Sequence, residues 1–494
     1  MLHSSRSDQP SAVALDQLFP AATRTGVGQV RATSCTTDWR QVEPGDVYVA
    51  LPDMADTSLS EDGHLHARRA VSHGAVAVVG EQPVPIFDVP TYLVADSRVA
   101  LGQLSHALVG SPSHAMPVLG VSGTHGKSTT IALLESIFSE AGRRCGKLSS
   151  LGCYDGMSYS AGISEAPSAP ALAARMAKMV AGGCTHALLE VSNKSLSQRR
   201  IAGIRLDSVC VTHVTDAHLD WHNSVQSYRD TEQRIFDYLA PEGVAILNAD
   251  DPVSMQWLDR VDGPLLTYGM GTQAEISARL VEQHANEQLF LLTSGCESAM
   301  VRSAIIGTHH VSNSLAAAAL SLSYGIDLQS IAAGIEAVEK LPSRMERVDC
   351  GQGFPVYVDA AKTPDALCAT LRTARQLSEG RVICVLGDPA WSPASTEQCV
   401  VSRVVQRMAD LVIVTADLAP VEGLPPGKKA AHVEVVAGRA EAIACAVAVA
   451  EQGDVVVIAG SQLQPQLAFG GSESDAELAR RLLFVRDESI PLAA

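Results

Sequence analysis

From residue 116 onward, short apolar runs take turns with longer helical patterns, the alternation expected of an α/β chain. Met116 to Val121 reads as a strand, and Thr129 to Phe138 as the helix after it. Ala169 to Val180 is a second helix, whose Met176 and Met179 share a face and read as core. Strands follow at Thr185 to Glu190, Ser208 to Val214 and Gly243 to Asn248, with a helix at Tyr228 to Leu239. Between Pro264 and Ser303 the pattern changes to short strands, predicting an antiparallel insert or edge. Gly307 to Ser314 opens a long alanine-rich helix.

The alternation resumes with strands at Val356 to Val358, Val382 to Leu386, Ala409 to Thr415 and Asp454 to Ala459. Helices at Pro364 to Leu377, Arg439 to Val449 and Asp475 to Phe484 separate and close them. Upstream, strands at Val47 to Leu51 and Ala75 to Val79 and helices at Ala67 to His73 and Arg98 to Leu108 make a smaller α/β unit. The expected division is 1–112, an N-terminal α/β domain, 113–340, a central nucleotide-binding domain, and 341–494, a Rossmann-like, doubly wound domain.

Candidate chemistry gathers at Gly123-Thr124-His125-Gly126-Lys127-Ser128-Thr129, between the strand and the helix of the central region. Strand, glycine turn and helix are the context in which backbone N–H groups cradle phosphates. Lys127 would reach the outer phosphates and Ser128 a Mg2+ ion. The stretch departs from G-x-x-x-x-G-K-[ST] at Val121. Glu190 ends a strand on the side where ligands of a parallel sheet sit, placed to hold Mg2+ or simply to face solvent. His218 follows another strand, within Thr215 to His222, as ligand or structural residue. Asn313 either meets an adenine edge or caps its helix. Asp38, Arg40 and the Asp62-Gly63-His64 turn are polar loop positions, for which turn chemistry alone is a sufficient account.

Composition narrows the partners. The formal net charge is −17, with 37 Lys plus Arg against 54 Asp plus Glu. That balance argues against nucleic acid and anionic membranes as partners. Apolar runs are too short to span a bilayer, and Met1 to Pro10 lacks the apolar segment of a signal peptide, so cytoplasmic placement is expected. The 11 cysteines are scattered without C-x-x-C spacing and read as thiols rather than disulfides or a zinc site.

In order along the chain, these motifs resemble the Mur ligase family, and within it the branch that adds the third residue of the peptide. The matching pieces are Asp38-x-Arg40-x-Val42-x-Pro44-Gly45-Asp46, Asp62-Gly63-His64, the 123–129 loop, Glu190-Val191-Ser192 and His218-Leu219-Asp220. Asn248-Ala249-Asp250-Asp251-Pro252, Asn313, Arg344-Met345-Glu346 and Thr363-Pro364-Asp365-Ala366-Leu367 complete the set. The resemblance implies three domains, for a UDP-linked muramoyl peptide, for ATP with Mg2+, and for an incoming amino acid. It implies amide formation through an acyl phosphate. Lys127, Glu190 and His218 would be catalytic. Asn313, Arg344 and Asp359 would join the loop in holding ATP, while Asp38, Arg40, His64, Ser192 and Arg200 would hold the UDP substrate. Ser128, Glu190 and His218 would ligate metal, with Glu232 standing where the family has a carbamylated lysine.

The chain also departs from the family. Glu165-Ala166 replaces paired threonines before Pro167, Ala217 an aspartate, and Asn193-Lys194 the end of a Glu-Val-Ser-Ser-His stretch. Ala360-Ala361-Lys362 replaces Tyr-Ala-His, and Gly387-Asp388-Pro389-Ala390-Trp391 an arginine-rich loop. Asp417-Leu418-Ala419-Pro420 and Gly460-Ser461-Gln462-Leu463-Gln464 stand where charged acceptor-binding motifs are expected. Two alternatives to an ordinary ligase therefore stay open. One is a nucleotide-binding relative that joins nothing and serves as a partner of cell-wall enzymes. The other is a ligase with a less charged acceptor.

Overall fold

The computed structural model describes residues 12–52, 61–86, 88–163, 167–215, 224–271, 273–387, 396–415, 431–460 and 473–488. They form a 5-stranded, an 11-stranded and a 6-stranded sheet in chain order, with a small two-stranded pair near the start.

The 11-stranded sheet carries the phosphate loop. Its middle strand, Val118–Ser122, lies between His186–Glu190 and Leu206–Val211, both parallel to it. Central parallel strands are buried on both faces, which explains why Val118–Ser122 is an unbroken buried run rather than an alternating one. Leu119 and Val121 pack on the side of helices Lys127–Glu140, Thr308–Ser323 and Leu328–Glu336. Val118 packs on the opposite side, with Ala169–Ala181 and Val225–Gln233. Met176 and Met179 are fully buried there, as their spacing predicts.

The stretch from Pro264 to Ser303 is not a separate insert. Leu265–Gly269 pairs parallel to Leu239–Asn248 and prolongs the main sheet. Ile276–Gln283, Gln288–Ser294 and Glu297–Ser303 then make its antiparallel edge. The apolar residues of Leu265–Gly269 resemble those of the edge, and only pairing partners tell the two apart. The alternation of Glu297–Ser303, with Ala299, Val301 and Ser303 buried, is that of a half-exposed edge strand. Asn313 lies inside helix Thr308–Ser323, whose N-cap position is Gly307, so it does not cap the helix.

The first sheet has strands Asp46–Val49, Ala77–Gly80 and Thr91–Leu93 side by side, covered by helix Ser97–Leu108. The last sheet runs Glu346–Val348, Val356–Val358, Val455–Ile458, Val382–Leu386, Leu411–Thr415, His432–Val436, parallel except for its first strand. Helices Pro364–Leu377 and Thr396–Met408 cover one face, and Arg439–Val449 and Asp475–Glu488 the other. Helix Thr396–Met408 is not among the elements expected from the sequence.

Met179 lies directly against the Gly146 backbone, where there is no room for a Cβ. Met179→Ala should therefore leave a cavity and cost about 2–5 kcal/mol, with a lower urea midpoint and an unchanged m-value. A midpoint equal to that of the wild type would show that the site collapses freely.

Candidate functional site: the phosphate loop and the junction above it

The loop from Gly123 to Gly126 turns sharply, with φ of 122° at Gly123 and 92° at Gly126. Both glycines are also squeezed. A Cβ on Gly123 would meet Thr212 Oγ1 at 2.4 Å, and one on Gly126 would meet Asn313 Oδ1 at 2.3 Å. The loop is thus wedged between the tip of the neighbouring strand and helix Thr308–Ser323. Thr124 N–H donates to the His213 carbonyl at 2.6 Å, and Thr212 Oγ1 donates to the His125 carbonyl at 2.5 Å. Lys127 opens the helix, its ammonium donating to the carbonyls of Gly123 (2.6 Å) and Thr124 (3.0 Å).

Glu190 is held by four donors. Ser128 Oγ donates to Oε1 at 3.0 Å, while Ser149 Oγ (2.7 Å), Ser150 N–H (2.9 Å) and Ser150 Oγ (3.1 Å) donate to Oε2. Burial alone would raise its pKa. The Lys127 charge and these hydrogen bonds outweigh burial and hold the carboxyl below its ordinary range. Ser149 and Ser150 are functional neighbours that the sequence does not flag. They arrive because Cys145–Ser149 pairs parallel to Glu190's strand.

Glu232 is 1 % exposed. Ser122 Oγ donates to it at 2.7 Å and Asn193 Nδ2 at 3.1 Å. Tyr228 also faces it, and burial together with the Glu232 charge pushes the Tyr228 phenol pKa up. The Tyr228 hydroxyl lies 2.7 Å from Thr124 Oγ1. A buried carboxylate beside the phosphate loop, among neutral donors, is thereby tied to the loop through one phenol. Ser122, Asn193 and Tyr228 carry no motif signal, and only the folded chain brings them here.

Asn313 abuts the loop at Gly126 and is within 3.4 Å of His310 Nδ1. The His309 and His310 rings lie 4.1 Å apart, tilted by 45°, and burial pushes both pKa values down. Arg344 lies near this pair, between Ser343 (φ 53°) and Met345 (φ 47°), two left-handed non-glycine residues. Asp359 fixes that bend, accepting from Met345 N–H, Ala361 N–H (both 2.8 Å) and Thr370 Oγ1 (3.2 Å). Its oxygens are thus engaged in shaping the Arg344 loop.

The residues expected to hold a UDP substrate are spread more widely. Ser192 caps helix Asn193–Ser197 just past Glu190. Arg200 Nε donates to Gln198 Oε1 at 2.7 Å. Asp38 caps a short 3-10 turn, and Arg40 extends over the Trp39 ring. Buried His64 is engaged at both nitrogens, with Nδ1 2.6 Å from Asp62 and Nε2 accepting from Glu81 N–H at 2.9 Å. It fastens two loops together rather than presenting a free edge. His218, Glu165-Ala166, Asp417 to Pro420 and Ser461 to Gln464 lie outside the described residues. No three His, Cys, Asp or Glu side chains gather into a metal cluster among the described residues, and the ten cysteines whose side chains are described are free thiols.

Comparison with known proteins decides the family. Residues 121–321 match the model described as the Mur ligase middle domain, and 343–462 the one described as the Mur ligase glutamate ligase domain. A UDP-N-acetylmuramoyl-L-alanyl-D-glutamate--2,6-diaminopimelate ligase of Geobacillus kaustophilus is 34% identical, over 86% of this chain and 88% of its own. The chain belongs to the Mur ligase family. A Mur ligase is an ATP-dependent enzyme that forms amide bonds. A UDP-N-acetylmuramyl-tripeptide synthetase of Roseiflexus is 32% identical, over 90% of this chain and 93% of its own. The solved structure of a diaminopimelate ligase of the same name as the Geobacillus protein superposes with a TM-score of 0.70 at 22% identity, covering 96% of this chain and 99% of that one. A folylpolyglutamate synthase of Mycobacterium tuberculosis shares the fold at a TM-score of 0.59 and 18% identity. No described helix of this Mur ligase is long and apolar enough to cross a membrane.

Because the folded Glu190 pKa is depressed, its ionised form stabilises the protein above the unfolded value. That contribution disappears as pH falls through the folded value. Glu190→Gln should therefore lower stability at pH 7 and lose that deficit well below pH 4.5, the ordinary value for Glu. Urea titrations at both pH values test this, and a constant gap would contradict the ionised network.

Proposed function

We propose that the enzyme joins an amino acid to the terminal carboxylate of a UDP-muramoyl peptide. The observation that carries this reading is the meeting of Lys127, Ser128 and Glu190 at a glycine loop wedged between Thr212 and Asn313, in a chain one-third identical to ligases with that activity in their names. Loop amides and Lys127 would hold the phosphates of ATP. The substrate carboxylate attacks the terminal phosphorus and ADP leaves. The amine then attacks the acyl phosphate, losing a proton as phosphate departs. A glycine loop can do the first task because nothing projects between its N–H groups and the anion.

The residues fit Mg2+. Ser128 and Glu190 are hard oxygen ligands 3.0 Å apart, and Mg2+ is commonly held by one or two carboxylates plus substrate phosphates. When bound, the ion would neutralise phosphate charge. His218 is proposed as a further ligand. Glu232 is proposed to supply the negative charge of the family's carbamylated lysine, and its burial beside Ser122 supports that reading. Asn313 is proposed at the adenine, Arg344 near the nucleotide at the junction, and Asp38, Arg40, Ser192 and Arg200 toward the UDP substrate. The reaction would take place in the cytoplasm, where such precursors are made.

A second reading concerns the acceptor. Asp417-Leu418-Ala419-Pro420 offers no arginine to grip a carboxylate in two places. A less charged amine than diaminopimelate is therefore the second candidate.

Phosphate release from ATP should require both a UDP-muramoyl dipeptide and one amino acid from a panel. Lys127→Ala should lower kcat/KM by at least about a hundredfold, the scale of removing one electrostatic stabiliser of a transferring group. Binding of ATP with no amine-dependent release would leave a nucleotide-binding protein that joins nothing. Glu232→Gln should raise the Mg2+ concentration for half-maximal rate, and an unchanged titration would remove Glu232 from the metal site.

A further inference from the structure

The phosphate loop touches the last domain directly. His125 Nε2 lies 2.9 Å from Thr363 Oγ1, across 238 residues of chain. Each end of this contact is stiffly mounted. His125 has its carbonyl held by Thr212 Oγ1 at 2.5 Å, and its backbone bridges His213. Thr363 is the N-cap of helix Pro364–Leu377, its Oγ1 accepting from Ala366 N–H at 3.4 Å. The turn before it is fixed by Asp359, which holds Ala361 N–H and, through Met345 N–H, the bend between the two domains. A Thr hydroxyl can do both jobs at once, accepting from Ala366 and donating to a neutral imidazole.

The geometry points to His125 and Thr363 as a latch that couples the phosphate loop to docking of the C-terminal domain. His125 is then a positioning residue for the ligase reaction. A shift of the loop on its phosphates moves the imidazole. The imidazole moves the start of the 364–377 helix, and with it the domain expected to carry the acceptor. Other contacts cross the same boundary, since Tyr357 OH donates to the Ala285 carbonyl at 2.5 Å and Ile306 packs in the C-terminal core. These hold the domains together near the sheet edge, whereas the His125 contact reaches the phosphate loop. The inference rests on the proposed reaction for its kinetic arm only.

The test uses full-length protein with Thr363→Gly, which removes the hydroxyl while costing the helix cap only a few tenths of a kcal/mol. Thr363→Ser serves as rescue, and His125→Ala and the double variant complete a cycle. Spin labels on the central and C-terminal domains report their separation with and without a non-hydrolysable ATP analogue. Thr363→Gly should bind the analogue like wild type by calorimetry, yet fail to shorten the distance. Its KM for the acceptor should rise about five- to tenfold, the weight of one hydrogen bond. Thr363→Ser should restore both, and the double variant should do no more than either single one. A normal distance change in Thr363→Gly overturns the latch, as does full additivity in the cycle. If wild type shows no ligase turnover, the proposed reaction fails, while the distance measurement still decides the latch.

Discussion

The close approach of backbone at Gly123 and Gly126 is the constraint on which the rest depends. With Thr212 Oγ1 at 2.4 Å and Asn313 Oδ1 at 2.3 Å from where side chains would begin, neither position can carry a side chain. The curl is also tied to the neighbouring strand, since Thr124 N–H donates to the His213 carbonyl. The same wedge brings in Lys127 at the helix start and Asn313 at its flank. It also sets the reach of His125 toward the next domain. A site built on strand ends and a helix start is more exact than one built on free loops.

Two carboxylates flank this loop, Glu190 half-buried and Glu232 buried, and they are kept in different ways. Glu190 sits against Lys127 and four hydrogen-bond donors, so its charge is fixed in place and ready for a cation. Glu232 sits deeper, among Ser122, Asn193 and Tyr228, and connects to the loop through Thr124. Asn193 and Glu232 both depart from the family pattern, and the structure shows why they belong together. The amide of one donates to the carboxylate of the other.

The junction between the second and third sheets has a different physics. Ser343 and Met345 adopt left-handed conformations that cost about 1–3 kcal/mol each, and they are sustained by Asp359 and the Ala360-to-Ser343 backbone bond. Such strain persists where surrounding contacts over-determine a bend. Here it aims Arg344 toward the His309–His310 pair and sets the start of the C-terminal domain. Asp359, expected from resemblance as a nucleotide residue, contributes by holding this bend.

The sequence by itself determined the local elements and the loop. Apolar runs bounded by glycine and proline located the buried parallel strands at Val118–Ser122, His186–Glu190, Leu206–Val211, Val356–Val358, Val382–Leu386, Leu411–Thr415 and Val455–Ile458 within a few residues. Pro364 to Leu377 was legible to the residue, because Pro at its start and Asp365 in its first turn mark a helix N-terminus independently of packing. Gly-x-x-Gly-Lys-Ser carried its own meaning, since phosphate binding is local backbone geometry. Tertiary structure decided what pairs with what. Leu265–Gly269 joined the parallel sheet rather than the antiparallel edge, since hydrogen-bond partners across strands leave no trace in apolar content. Ser149 and Ser150 reached Glu190 because parallel neighbours align their ends in space and not in sequence, and Asn193 reached Glu232 because helices Asn193–Ser197 and Val225–Gln233 pack together. His125 met Thr363 only once two domains, each legible alone, were set against one another.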